Sequence, residues 1–435
     1  MNKENWLSKK EKFTAEDIFR KWARLALLNL LIVATAGLLL RIKIVFPLPA
    51  VDHKNLLHAH SHFAFSGWVS LALFAAITAI VHAQNTINSS VFRKLFWLGQ
   101  FAAFGMLLTF PFMGYKAPSI AFSTLSIIFS YLFAILAWRK LSALPQLVKI
   151  CFRSAMIFYI ISSLGAFNLA WLMASENSSQ RLYIGSVYFF LHFQYNGWFL
   201  FGIAGLFIYQ LHQSGATVNW KNLKYGVYTL LAASVPAYLL SALWMRLPTP
   251  LYWLAVAAAI MQLIALVWLG KALHGIRRNF VQHLSTATKW LWLLAVTAFV
   301  IKIILQALSA IPSLSYLAFG FRPVVIGYLH LVLLGLVSLF LLGYFVHVRF
   351  LPADNRLTNT GLTIFTIGVM LNEGFLFLQG LAAINHTYIE SMNYFLLAAA
   401  VIMVSGMLTL VISKDSIRIP SVKTSSPIKS AISPQ

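Results

Sequence analysis

Three histidines of this 435-residue chain recur in one local setting. They open the segments His62-Phe63-Ala64-Phe65-Ser66-Gly67-Trp68, His192-Phe193-Gln194-Tyr195-Asn196-Gly197-Trp198 and His330-Leu331-Val332-Leu333-Leu334-Gly335-Leu336. Each reads His-x4-Gly, and the first two add Phe after the histidine and Trp after the glycine. Neutral imidazole is a ligand for haem iron, copper or zinc. The single cysteine, Cys151, speaks against a thiolate zinc site, and the scarcity of carboxylates beside the histidines speaks against a hydrolytic one. Imidazole ligation of haem or of a redox metal is the chemistry left. Phe63, Phe65, Trp68, Phe193 and Trp198 would supply an apolar slot for a flat group. Taken singly, each histidine also has an ordinary reading as a donor to a backbone carbonyl, and each aromatic as a packing residue.

The first segment is preceded by two more imidazoles, His58-Ala59-His60-Ser61-His62. On a helix, His58 and His62 share a face, and His60 stands about 200° round from His62. One site therefore takes at most His58 and His62 together. The repeat register favours His62 as the ligand, with His58 a turn nearer the outer surface and placed to meet haem propionates. His60 is the competitor. In the second segment His192, Tyr195 and Asn196 form a polar stripe on one face, which also reads as an interhelical hydrogen-bond patch. Lys302 and Glu373 lie at the same depth as the histidines. An ion pair, a proton relay or a counter-charge for a ligand are the readings open to them, because ionisable groups inside a bilayer are costly. His53, His82, His212, His274, His283, His347 and His386 fall in loops or at helix ends and read as solvated.

The elements that position these residues are membrane helices. The chain is 60% hydrophobic and 10% charged with a mean hydropathy of +0.78, whereas soluble domains carry about 25% charged residues. A span needs about 20 apolar residues. Twelve stretches qualify: 23–46, 55–82, 93–113, 118–138, 150–173, 183–210, 223–244, 249–270, 288–311, 322–346, 361–383 and 391–413. The expected organisation is an N-terminal segment (1–22), a twelve-helix membrane domain (23–413) and an unstructured tail (414–435). Pro118, Pro248 and Pro323 sit at helix starts, where proline is tolerated.

The net charge of +23 reflects sidedness rather than nucleic-acid binding. With both ends on one side, that side collects twenty-five Lys and Arg. The other holds seven: Arg41, Lys43, Lys54, Lys116, Arg181, Arg246 and Arg322. This is the positive-inside bias, and it predicts a bacterial inner (plasma) membrane protein with both termini cytoplasmic. The three histidines are 130 and 138 residues apart, four helices at each step. That spacing reads as three four-helix units in tandem, with each histidine roughly 10–14 Å below the outer surface.

Twelve helices, a pseudo-threefold repeat and histidines on the second, sixth and tenth helices resemble subunit I of the haem-copper oxidase superfamily, which includes cytochrome oxidases and nitric oxide reductases. The segment from Leu57 to Trp68 looks like the second-helix haem-ligand motif. The segment from Gly327 to Leu333 looks like the tenth-helix motif, which reads His-x-His in the family. The resemblance spans all twelve helices in layout and about 30 residues in motif. It implies a low-spin b-type haem between His62 (or His60 or His58) and His330. The histidine that holds the high-spin haem in the family is Tyr328 here, and His192 matches a copper ligand. The His-His pair that completes the copper site is missing, since 223–244 contains no histidine. Some members place a tyrosine four residues after that helix-6 histidine, and here Tyr195 follows by three. The resemblance thus implies a surviving low-spin haem with a dismantled oxygen-reducing centre, so copper at His192 is not the expected occupant and an oxidoreductase activity is left open. Electron transfer, or binding of O2 or NO near His192, would follow, with a quinol or an electron-transfer protein as partner. Two rivals stand beside it: a proton-coupled transporter using Lys302 and Glu373, and an assembly factor carrying haem or copper. No Gly/Pro-interrupted helix pair at the midplane marks a transporter site.

Overall fold

The computed structural model describes residues 15–84, 89–175, 179–276 and 280–413, and among them every regular element is helical. Residues 1–14, the tail 414–435, and Arg277 and Arg278, two of the twenty-five cations on the side of the termini, lie outside the described residues. Helix α1 (Ala15–Val45) is followed by α2 (His53–Phe63), which passes through a π-helical stretch, Ala64–Ser70, into α3 (Leu71–Gln84). Then come α4 (Ser89–Met113), α5 (Ala117–Trp138) and α6 (Gln146–Ala174). Helix α7 (Gln180–His192) runs through a second π stretch, Phe193–Phe199, into α8 (Leu200–Gln213). Helices α9 (Trp220–Ser234), α10 (Tyr238–Ser241), α11 (Thr249–Leu273), α12 (Thr286–Leu308) and α13 (Pro312–Gly320) follow. Helix α14 (Arg322–His330) continues through a third π stretch, Leu331–Ser338, into α15 (Leu339–His347), and α16 (Arg356–Ile384) and α17 (Ser391–Ile412) close the chain.

Short polar residues start several of these helices by accepting the first free N–H groups. Asp52 takes Asn55 N–H at 2.8 Å, Asn219 takes Asn222 N–H at 3.0 Å and Asn355 takes Leu357 N–H at 2.7 Å. Ten helices among the described residues are long and apolar enough to cross a membrane. Their outward faces carry bare apolar side chains, such as Ile135 at 70% and Phe377 at 65% exposure. Such surfaces suit lipid and not water. The chain is therefore a multi-pass membrane protein.

Two of the twelve expected stretches differ from those ten. Residues 183–210 fall in the run α7–π–α8, which is unbroken in backbone but carries a polar middle. Residues 223–244 do not form one helix. Pro236 has no N–H to donate, α9 stops at Ser234, and a turn leads to the single-turn α10. The break strands the Ser234 carbonyl, since the Tyr238 N–H that would have reached it bonds Val235 instead at 3.2 Å.

Each His-x4-Gly segment carries one of the three π stretches, and each stretch contains the motif glycine. The extra residue of a π turn leaves carbonyls misaligned with the next turn, and partners must be found for them. Asn29 of α1 donates to Gly67 O at 2.6 Å and to Gln100 Oε1 at 2.9 Å. The stretches are also tied to one another. Trp68 Nε1 donates to Ser338 Oγ at 2.9 Å, and Trp198 Nε1 donates to Ser70 Oγ at 3.0 Å. Counting from each histidine, the donor is the sixth residue and the acceptor the eighth. The third rung of such a ring would run from Leu336 to Leu200, and both of those are apolar.

Candidate functional site

A cavity of about 650 Å³ lies in the bundle and is lined by residues of α1, α2, α4 to α7 and α14, among others. That volume falls within the roughly 300–1,000 Å³ usual for cofactor and ligand sites. His58, His60, His62 and His330 all line it, as do Arg41 and Arg322.

His60 and His330 are held alike. His60 Nδ1 lies 3.1 Å from Val33 O on α1, and His330 Nδ1 lies 2.8 Å from Ile326 O, one turn back on its own helix. A carbonyl only accepts, so in both rings Nδ1 carries the proton and Nε2 keeps the lone pair. This is how proteins orient an imidazole for a metal. His60 has room beside α1 because residue 37 is glycine: a Cβ there would stand 3.2 Å from His60 Cε1. The two imidazoles are within electrostatic reach of each other, and Arg41 is within reach of both.

His62, the ligand favoured by the repeat register, faces elsewhere. Its Nε2 lies 2.9 Å from Tyr115 Oη and its ring stacks on Phe110 at 4.7 Å. His58 meets the Tyr115 ring edge-on at 4.7 Å, and its Nε2 is buried without a hydrogen-bond partner. The phase of α2 thus separates His60 from His58 and His62, as helical geometry requires.

His192 does not line the cavity. It is fully buried, its Nε2 donates to Ser234 O at 2.8 Å, and its Nδ1 accepts from Asn196 Nδ2 at 3.0 Å. The carbonyl stranded by Pro236 is therefore capped by this imidazole, and the polar stripe of the second motif serves that cap. Tyr195 is buried beside it, its ring 6.1 Å from Tyr328. The Tyr328 hydroxyl lies near Tyr195 without hydrogen-bond geometry. We expect Asn196→Leu to leave His192 Nδ1 without its donor and to cost about 1–3 kcal/mol. Thermal unfolding in detergent should register the loss while any bound cofactor is retained; parallel loss of cofactor would move His192 into the binding site.

No ion pair joins Lys302 to Glu373. Lys302 is 1% exposed, with its ammonium 6.0 Å from the Phe299 ring centre, and lies within electrostatic reach of His192. Glu373 accepts from Asn372 Nδ2 at 3.1 Å and has Arg41 as its charged neighbour. Equal depth did not mean facing sides. Three loop-end histidines read as solvated also have specific settings: His53 lines the cavity, His212 stacks on Trp220 at 4.0 Å, and His347 Nε2 lies 3.2 Å from Gln210 Oε1.

Among the described residues no group of three or more His, Cys, Asp or Glu is arranged to hold a metal ion. A haem asks less of the protein, since two axial side chains suffice. Compared with known proteins, the chain matches no family model and no curated protein.

Proposed function

We propose that this chain is a membrane-bound b-type haem protein that transfers single electrons, with the haem between α2 and α14 on His60 and His330. The observation that carries the reading is the matched pair of imidazoles. Each gives its Nδ1 proton to a backbone carbonyl and keeps its Nε2 lone pair, and both line one cavity of suitable volume. Arg41 and Arg322 line the same cavity and suit the two carboxylates of a haem. A bound haem supplies the Fe(II)/Fe(III) couple. His60 and His330 would hold it through their Nε2 atoms, and Arg41 and Arg322 would supply the cations. Ligation by both His60 and His330 would leave the iron no place for O2 or NO, which favours electron transfer over gas binding. Electrons would come from a quinol or an electron-transfer protein.

The reading keeps the likeness to haem-copper oxidase subunit I at the level of layout: twelve passes, both termini cytoplasmic in a bacterial inner membrane, and three four-helix units. The coincidence of the π stretches with the three motifs, and the two Trp-to-Ser rungs between them, support the threefold organisation. The capped state of His192 counts against copper there. The transporter reading has less support. The helix break at Pro236 is closed by His192 and stands apart from the cavity, and Lys302 and Glu373 do not meet. The test is a pyridine haemochrome count with a reduced-minus-oxidised spectrum on the purified full-length protein. One low-spin haem b per chain is expected. Protein made with ample haem that carries none would sink the proposal.

A further inference from the structure

The turn of α2 that directs His60 to one side directs His58 and His62 to the other, where they meet a residue that helical periodicity does not single out. Tyr115 lies in the short connection between α4 and α5, where Gly114 adopts a φ of +59° and lets the chain leave α4. The phenol reaches both imidazoles. Its oxygen is 2.9 Å from His62 Nε2, and its ring is 4.7 Å from that of His58. Phe110 backs both, stacked with His62 at 4.7 Å and tilted against His58 at 6.0 Å.

The donor chemistry here is unbalanced. Burial pushes the Tyr115 phenol well above its ordinary value, so without a cation it stays protonated, and its hydroxyl shares one hydrogen bond with His62 Nε2. His58 Nε2 is buried and has no partner. An unsatisfied buried nitrogen is costly and asks for an explanation. All three side chains line the cavity, so a small ligand can reach them. Two imidazoles at i and i+4 on one helix face are a recurrent chelating pair for first-row divalent ions, and a phenol oxygen is a third donor that such ions accept.

We propose that His58, His62 and Tyr115 form a site for a divalent ion of the Cu(II)/Zn(II) class, separate from the His60/His330 pair. Binding breaks the hydrogen bond between Tyr115 and His62, forms two metal–nitrogen bonds and one metal–oxygen bond, and releases the phenol proton to solvent. Nothing is oxidised or reduced. The site would leave at least one position for water, because the protein offers only three donors. It does not depend on the haem assignment, since His60 faces away from it.

The test uses full-length protein in detergent, stripped with chelator and titrated with Cu(II) alone. Equilibrium dialysis should find one tightly held Cu(II) per chain, with imidazole nitrogen couplings in the paramagnetic spectrum and a visible phenolate-to-copper band. His58→Asn with His62→Asn should weaken binding at least about tenfold, the minimum expected when ligands and not merely their supports are removed. Tyr115→Phe should abolish the visible band, and His386→Ala, in an exposed loop, should change nothing. Unchanged affinity in the double variant, or wild-type protein that holds no copper, overturns the proposal. If the double variant fails to fold, Tyr115→Phe decides: a band that survives it overturns the site.

Discussion

Replacing either His60 or His330 with alanine is expected to remove the proposed low-spin haem, whereas His62→Ala retains it. Each alanine deletes one of the two nitrogens that remain free because Nδ1 is committed to Val33 O or to Ile326 O. The loss should exceed the roughly 10–100-fold that removal of a supporting outer partner costs. In the visible spectrum the sharp reduced bands of a six-coordinate haem should vanish or give way to a high-spin form. His62 is occupied with Tyr115, so its removal should leave those bands in place. A His62→Ala protein without haem, beside a His60→Ala protein with it, would return the ligand to the position that the repeat register favours.

Substituting Gly406 should damage the fold where two helices approach by their backbones. Helices α16 and α17 cross on glycines. A Cβ on Gly406 would run into the backbone of Phe365 and come within 2.9 Å of Gly361 O, and one on Gly368 would stand 2.8 Å from Met403 N. Membrane helices gain little from apolar burial against one another and depend on such close backbone approach. Backbone cannot step aside as a side chain can. Gly406→Ala is expected to cost about 1–3 kcal/mol, the range for overpacking a tight contact, and Gly406→Leu should prevent recovery of monodisperse protein. Thermal stability followed by size-exclusion chromatography measures both, and a Gly406→Ala midpoint equal to wild type would contradict this account of the crossing.

Much of this architecture can be read from hydropathy, because a bilayer demands apolar stretches of fixed length. The motif histidines are legible too, since they repeat at even spacing. Three features are not, and each has its own reason. His60 is oriented by Val33, which is 27 residues away on α1; local pattern carries no such information, and the repeat register points to His62. Lys302 and Glu373 match in depth, but depth along a helix leaves its rotation free, and they come to face His192 and Arg41. Tyr115 and the cations Arg41 and Arg322 look like loop or helix-end residues, and only the folding of α4, α1 and α14 around one cavity brings them to it. Pro236 was visible within 223–244, and a proline in mid-segment is a fair sign of a break. Its consequence, a carbonyl handed to His192, is not visible.

The three π stretches expose the chain to a kind of genetic change that substitutions never sample. Each holds one residue more than regular α geometry would in the same length. Deleting one codon within 64–70, 193–199 or 331–338 would let the segment relax to an ordinary helix with its two halves in nearly the same relative register, whereas a deletion in the regular turns on either side would rotate one half against the other by about 100°. The histidine side and the tryptophan or serine side would keep their neighbours. A one-codon deletion there acts as the removal of a bulge and not as a rotation of half a helix. The identity of the deleted residue would matter less than the loss of its place in the count.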